Sequence, residues 1–137
     1  MNLKYLDTIE LEDYKQLLIS AEWKVLSDKQ LSNALKNTMF ISCCVDNEKV
    51  VGVARIVGDY SVHGVLCDVV VLKEYRHLGI GRKLVNNIKD KVYEMLEENE
   101  QFLIELLPAY GKREFYLGCG FKYKPEYMDG MYLWIKK

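Results

Sequence analysis

The residues best suited to chemistry lie in one short run, Arg76-His77-Leu78-Gly79-Ile80-Gly81-Arg82. Its two glycines carry no Cβ, so a bulky anion can approach the main chain closely. Arg76 and Arg82 place fixed positive charge on either side. Ile80, Leu84, Ile88 and Val92 then recur every four residues, flanked by Val85, Met95 and Leu96. That period is one face of an amphipathic helix, so the glycines stand where a helix begins. The first turn of a helix has amides with no intrahelical partner, and the macrodipole adds roughly half a positive charge there. The run therefore predicts a diphosphate-binding turn.

Other residues could move protons. Asp68 and Glu105 are carboxylates on two different predicted strands, and either could accept a proton through water. Each could equally be a solvated or ion-paired carboxylate. His63 reads as a loop residue, and His77 as a donor of its backbone amide within the glycine turn. Cys119 reads as a buried thiol, because no thiolate-stabilising neighbour is identifiable in the sequence.

The elements that must position these residues follow from the apolar periodicity. Val69-Val70-Val71 is a buried strand that opens into the glycine turn. Leu3 to Leu6 predicts a first strand, with Asp7 or Thr8 as the cap of a helix through Leu11, Tyr14, Leu17, Leu18 and Ala21. Ser27 or Asp28 caps a second helix through Leu31, Ala34 and Leu35. From Met39 the period changes to two, and Asp46-Asn47-Glu48 is a tight turn into a return strand over Lys49 to Val57. Gly52 inside that strand predicts close packing or a bulge. Gly58 to Ser61 is a second turn, and Val65 to Leu72 the next strand. After the long helix and the acidic stretch from Glu94 to Glu100, Phe102 to Leu107 is a strand stopped by Pro108. A strand, helix and strand in that order make a right-handed crossover to a parallel neighbour. Lys112 to Leu117 is a short helix ended by Gly118 and Gly120, and Phe121 to Lys124 with Met131 to Ile135 forms a last hairpin. The class is α+β, with a mixed, mostly antiparallel central sheet flanked by helices.

Composition narrows the possible functions. The chain has 137 residues, near the common size of one domain, so residues 1–137 are expected to form a single domain. The formal net charge of −1 gives no basic field for nucleic acid or an anionic membrane surface. No apolar run approaches a membrane span, and no signal-peptide core follows Met1, which predicts a cytoplasmic protein. Cys43, Cys44, Cys67 and Cys119 lack metal-ligand spacing, so no metal is expected and all four are predicted to be buried, reduced thiols.

Three glycine-rich phosphate turns can be compared with the run. The P-loop pattern is absent, and the third glycine of the dinucleotide fingerprint falls on Leu84, which argues against a nucleotide-binding switch. Arg76-x-x-Gly79-x-Gly81 matches the third kind, Arg/Gln-x-x-Gly-x-Gly/Ala. A second segment, Phe115-Tyr116-Leu117-Gly118-Cys119-Gly120-Phe121, stands about thirty-five residues further on. Together they resemble the acetyl-CoA motif and the Phe-Tyr-x-x-x-Gly-Phe segment of the GCN5-related N-acetyltransferases (GNAT). The predicted element order is similar to that family's fold. Two positions depart from its pattern. Leu107-Pro108-Ala109-Tyr110-Gly111 lacks an asparagine often found there, and Lys73 replaces a frequent proline.

The resemblance implies an N-acetyltransferase that moves an acetyl group from acetyl-CoA to an amine by direct attack in a ternary complex. It implies that the backbone of Val69, Val70 and Val71 holds the pantetheine and acetyl carbonyl. Arg76, His77, Leu78, Gly79, Ile80, Gly81 and Arg82 would hold the diphosphate, and Tyr116 would contact the sulfur and protonate it as it leaves. It is also compatible with a homodimer. The expected acceptor is a small-molecule primary amine. Trp23, Tyr60, Tyr110, Tyr127 and Tyr132, with Asp59, Glu126 and Asp129, would line its site. The alternatives are a protein lysine or N-terminal acetyltransferase and a non-catalytic acyl-CoA-binding module.

Overall fold

The computed structural model describes residues 1–137, which divide into two compact units, Met1–Leu106 and Leu107–Lys137. In the first unit the order is β1 (Leu3–Leu6), α1 (Leu11–Ser20), α2 (Asp28–Lys36), β2 (Phe40–Asp46), β3 (Lys49–Gly58), β4 (His63–Val71), a 3-10 turn (Lys73–Tyr75), α3 (Ile80–Met95) and β5 (Leu103–Glu105). The second unit holds α4 (Arg113–Gly118). The five strands form one sheet in the order β1-β2-β3-β4-β5. Each pairing is antiparallel except β4 with β5, which is parallel. The mixed, mostly antiparallel sheet with flanking helices is the predicted class.

Helices cover both faces of this sheet, and the alternation of strand residues shows which covers which. Val53 and Val70 are register partners and share a buried cluster with Tyr14, Leu17 and Leu18 of α1 and Leu31 of α2. Gly52 and Val71, one position along, face the other way, towards Leu84 of α3. A Cβ on Gly52 would stand 3.1 Å from Leu84 Cδ1, so the glycine lets the helix approach the sheet closely. A register shift between Cys44 and Val45 lies opposite the same stretch of β3. The predicted stripe of α3 is the face it buries, with Ile80, Leu84, Val85, Ile88 and Val92 inside. Each such side chain contributes about 1.5–3 kcal/mol on burial.

Several boundaries differ from the sequence expectation. Helix α1 is preceded by Glu10, not capped by Asp7 or Thr8. Ile9 and Leu11 both pack on the core, so the chain stays extended through Ile9 to seat it. Asp7 instead meets Lys91 Nζ at 2.5 Å. Ser27 does cap α2, accepting from the Gln30 amide at 3.2 Å. Strand β4 starts at His63 rather than Val65, because the Asp59 carboxylate accepts the amides of Ser61, Val62 and His63 and squares the chain into the sheet. Strand β5 is only three residues long instead of spanning Phe102 to Leu107. Phe102 lies under Gly64, where a Cβ would stand 3.0 Å from both Phe102 Cζ and Ile56 Cδ1.

The expected closing hairpin is not formed. Neither Phe121 to Lys124 nor Met131 to Ile135 is a strand, and the Tyr127 and Met128 amides both donate to the Lys124 carbonyl at 2.9 Å in a turn beside Pro125. A two-stranded hairpin is marginal by itself, and Pro125 has no amide to donate. The cysteines are all free, but Cys67 is exposed, against the expectation of four buried thiols. It occupies an irregular position in β4, between Leu66 and Asp68, where the register with β3 shifts. Burial pushes the Cys43 thiol up to about 12.

Candidate active site

The site is built on an interrupted strand pair. Only His63, Gly64 and Val65 of β4 pair with β5, opposite Leu103, Ile104 and Glu105. Between Arg55 and Ile56 the β3–β4 register shifts, so that Asp68 and Leu66 face consecutive residues and Cys67 is the extra one. A bulge bends its strand and increases the twist. Beyond Val65, β4 therefore runs on without a partner on its β5 side. The Leu72 amide donates to the Val51 carbonyl at 2.9 Å, towards β3. By strand alternation Val71 and Val69 turn their backbone groups to the open side. The Val71 carbonyl does so, accepting from Arg76 Nε at 3.2 Å. Val70 is buried in the core, whereas Val69 and Val71 are half-buried.

The open edge leads directly into the glycine turn. Tyr75 donates to Asp46 at 2.8 Å and Lys49 pairs with Glu74 at 3.3 Å, so the β2–β3 hairpin holds the 3-10 turn in place. The chain then passes through two left-handed residues, His77 at φ 63 and Gly79 at φ 83. Gly79 occupies the N-cap position of α3, with no side-chain cap. The first helical bond runs from the Lys83 amide to the Gly79 carbonyl at 3.0 Å. The amides of Ile80, Gly81 and Arg82 thus have no helical acceptor. No acidic side chain lies in that first turn, and Arg76 and Arg82 are exposed beside it. A Cβ on Gly79 would meet no atom of the chain within 4 Å, so there is room at the tip for a bulky anion. A diphosphate with an extended tail fits this series of amides, its charge at the helix end and its tail along β4.

The two candidate bases differ in environment. Asp68 lies opposite Arg55 in the register, and the two side chains are only 12% and 13% exposed. Asp68 Oδ2 accepts from Arg55 Nε and from the Tyr14 hydroxyl, each at 2.5 Å. Arg55 Nη1 also donates to Thr38 Oγ1 at 3.0 Å, and Thr38 donates in turn to the Ala34 carbonyl at 2.8 Å. Burial and the adjacent Asp68 charge push the Tyr14 hydroxyl pKa well up. Burial works against the Arg55 charge, but the Asp68 and Tyr14 oxygens outweigh it and its pKa is raised. Glu105 is the last residue of β5, opposite Val65, where the strands part, and its carboxyl meets His63 Nε2.

Tyr116 belongs to the C-terminal unit. Its ring is half-buried and meets Phe115 and Phe121 edge-on, with centroids 5.0 and 6.0 Å away. The helix ends as Gly118 and Gly120 predict. Gly120 has φ 95, its amide donates to the Leu117 carbonyl at 3.0 Å, and the Phe121 amide to the Tyr116 carbonyl at 3.1 Å. That closure brings Phe121 back onto Tyr116 and accounts for the spacing of the second motif.

With this geometry established, the comparisons identify the family. A model of the acetyltransferase (GNAT) domain matches residues 37–123, well over half of the chain. The chain belongs to the GNAT acetyltransferase family. This acetyltransferase is 28% identical over 128 residues to the uncharacterized N-acetyltransferase ycf52 of Pyropia yezoensis, covering 90% of this chain and 71% of that one. Among solved structures it superposes on a probable acetyltransferase, SA2161 of Staphylococcus aureus, with a TM-score of 0.86 and 24% identity over 97% of this chain and 99% of that one. Glucosamine-6-phosphate N-acetyltransferase of Arabidopsis thaliana shares the fold at a TM-score of 0.75 and 17% identity, covering 99% of this chain and all of that one. Acyltransferases of this family use acetyl-CoA as donor, and the glycine turn of this acetyltransferase lies within the matched residues.

Three residues of the acetyltransferase were not predicted to matter. Tyr14 and Arg55 form the network on Asp68, and His63 meets Glu105 from a strand rather than a loop. Arg55 was detectable: a cation in the apolar run Val53-Ala54-Arg55-Ile56-Val57 needs a buried carboxylate partner. Two residues expected on the acceptor side serve their own turn. Asp59 holds three amides, and the Tyr60 hydroxyl donates to the Met39 carbonyl at 3.1 Å. Trp23 follows α1 and is 38% exposed, while Tyr110, Tyr127, Tyr132, Glu126 and Asp129 are exposed in the C-terminal unit.

Proposed function

We propose that the chain, as a single acetyltransferase domain over residues 1–137, moves the acetyl group of acetyl-CoA to the primary amine of a small molecule, with both substrates bound together. The observation that carries this reading is the open edge of β4 running into the uncapped tip of α3. Acetyl-CoA supplies the activated thioester. The Val69 and Val71 backbone orients its extended arm. The amides of Ile80, Gly81 and Arg82, with the Arg76 and Arg82 side chains, hold its diphosphate.

An amine attacks only when neutral, and an ordinary ammonium has a pKa near 10, so a base must remove a proton. Glu105 takes that role in this reading because it stands where β4 and β5 part and is partly exposed. Asp68 Oδ2 already accepts two donors, so Asp68 is assigned to holding the bulge rather than to taking the proton. Tyr116 protonates the departing sulfur, its ring fixed by Phe115 and Phe121. A small acceptor is favoured by the half-exposed acidic group at the open edge, which suits a compact cation. The glucosamine-6-phosphate N-acetyltransferase that shares this fold is named for a small amine acceptor, which supports the same class of acceptor here.

The test is release of free thiol from acetyl-CoA with a panel of small primary amines, a lysine peptide and a peptide with a free N-terminus. Turnover with small amines is expected. Turnover with peptides alone transfers the reading to protein acceptors. Calorimetric binding of acetyl-CoA with no release for any amine makes the protein a binding module.

A further inference from the structure

His63 and Glu105 meet across the seam between β4 and β5. His63 opens β4, Glu105 closes β5, and the parallel register puts His63 opposite Leu103 and Glu105 opposite Val65. The pair therefore reaches diagonally across the seam at the point where the strands diverge. His63 is also held firmly by its backbone. Its amide donates to Asp59 Oδ1 and its carbonyl accepts from the Asp59 amide, both at 3.1 Å. Gly58 presses against that carbonyl, where a Cβ would stand only 2.4 Å away. The Val62 carbonyl next to it accepts from the Leu103 amide at 2.9 Å, which locks the two strand ends together. The His63 and Glu105 side chains are 47% and 36% exposed, so each touches its partner and also reaches solvent.

We propose that His63 is a positioning residue and proton outlet for Glu105. This rests on the assignment of Glu105 as base. The N–H bond of the bound ammonium breaks and an O–H bond forms on the Glu105 carboxyl. That bond then breaks as His63 Nε2, unprotonated in the Nδ1–H tautomer, takes the proton. The imidazolium gives it to bulk water, which restores both groups for the next turnover. While Glu105 carries the proton, its O–H donates to His63 Nε2, which holds that oxygen in place for the onward transfer. The charged groups that meet His63 are Glu105 on β5, at its side chain, and Asp59 in the β3–β4 turn, at its backbone amide.

The experiment compares the unmodified chain with His63→Gln, His63→Ala and Glu105→Gln, using thiol release with the best amine across pH. Glu105→Gln should lower kcat by about 100-fold or more, the usual size of a lost general base. His63→Gln keeps a polar side chain beside Glu105 but cannot carry a proton. It should lower kcat by about tenfold, flatten the acid limb of the kcat/KM profile and leave the KM for acetyl-CoA unchanged. His63→Ala should lose at least as much and recover on addition of free imidazole. Unchanged kcat and pH profile in both His63 variants overturn the inference while the proposed function stands. A raised KM for acetyl-CoA with unchanged kcat also overturns it, because the residue would then serve binding only. No thiol release by the unmodified chain with any amine overturns both.

Discussion

Arg55 Nε and Asp68 Oδ2 stand 2.5 Å apart across the β3–β4 register, beside the extra residue Cys67. Tyr14 from α1 donates to the same oxygen, and Thr38, between α2 and β2, takes the next guanidinium nitrogen. Four parts of the chain thus converge on the bulge that lets β4 leave β5. The pair is a clamp on the geometry of the open edge.

Removing one partner of this clamp should be severe. Arg55→Met leaves Asp68 charged, poorly solvated and with one donor fewer, and breaking such a pair costs about 3–5 kcal/mol. The Arg55→Met, Asp68→Leu double variant should lose less than the sum of the two single changes. Urea unfolding of the three variants measures both effects. A loss below about 0.5 kcal/mol in Arg55→Met, the usual range for an unremarkable surface change, would show that the clamp is not structural.

Gly79→Ala tests the helix tip. A side chain has space there, so the difficulty lies in the backbone, which holds φ at 83. A left-handed conformation costs an L-residue roughly 1–2 kcal/mol. The free loop of the variant relaxes to negative φ, and binding must restore the original turn. Coenzyme A affinity by calorimetry should fall by about 5- to 30-fold, while kcat at saturation changes little. An unchanged affinity would exclude the turn from the diphosphate site.

Tyr116→Phe removes one oxygen and keeps the ring that meets Phe115 and Phe121. If the hydroxyl protonates the leaving sulfur, kcat should drop by about tenfold to 100-fold with little change in the KM for acetyl-CoA. Stability should change by less than about 1 kcal/mol. Equal kcat in the two proteins would remove the acid role.

Acid should weaken the β3–β4 turn. Asp59 has its pKa lowered from 3.8 because the Val62, His63 and Ser61 amides bond its charged form. A folded pKa below the unfolded one gives stability that is complete above the unfolded value. It is lost as pH falls from about 3.8 through the lower folded value. Asp46, held by the Asn2 amide and Tyr75, and Glu74 have lowered pKa values with the same sign. Asp59→Ala should therefore show a shallower loss of stability below pH 4 than the unmodified chain, measured by urea unfolding at successive pH values. Parallel pH curves would contradict this.

The parts of the fold governed by local pattern were legible in the sequence. The stripe from Ile80 to Val92 gave α3 its buried face, and Ser27 gave α2 its cap. Gly79 and Gly120 marked turns because only their φ values suit those positions. What escaped depended on partners distant along the chain. His63 looked like a loop residue because nothing nearby in sequence announces Leu103 or Glu105, forty and more residues away. Asp68 stayed open between a base and a solvated or ion-paired carboxylate because Tyr14 lies 54 residues before it. The closing hairpin was inferred from apolar runs at Phe121 and Met131, but apolar content alone supplies no ladder partner. Neither the short β5 nor the bulge at Cys67 is signalled by any single residue type.

The contact of Phe102 with Gly64 bears on the shape of the open edge. The ring sits beneath the seam at the vertex of the wedge between β4 and β5, and even a methyl group on Gly64 would crowd Phe102 and Ile56 at 3.0 Å. The angle of that wedge is therefore adjustable from a position whose own neighbours are the apolar Phe102 and Ile56 side chains. Exchanging bulk between residues 64 and 102 would widen or narrow the wedge from its apolar underside.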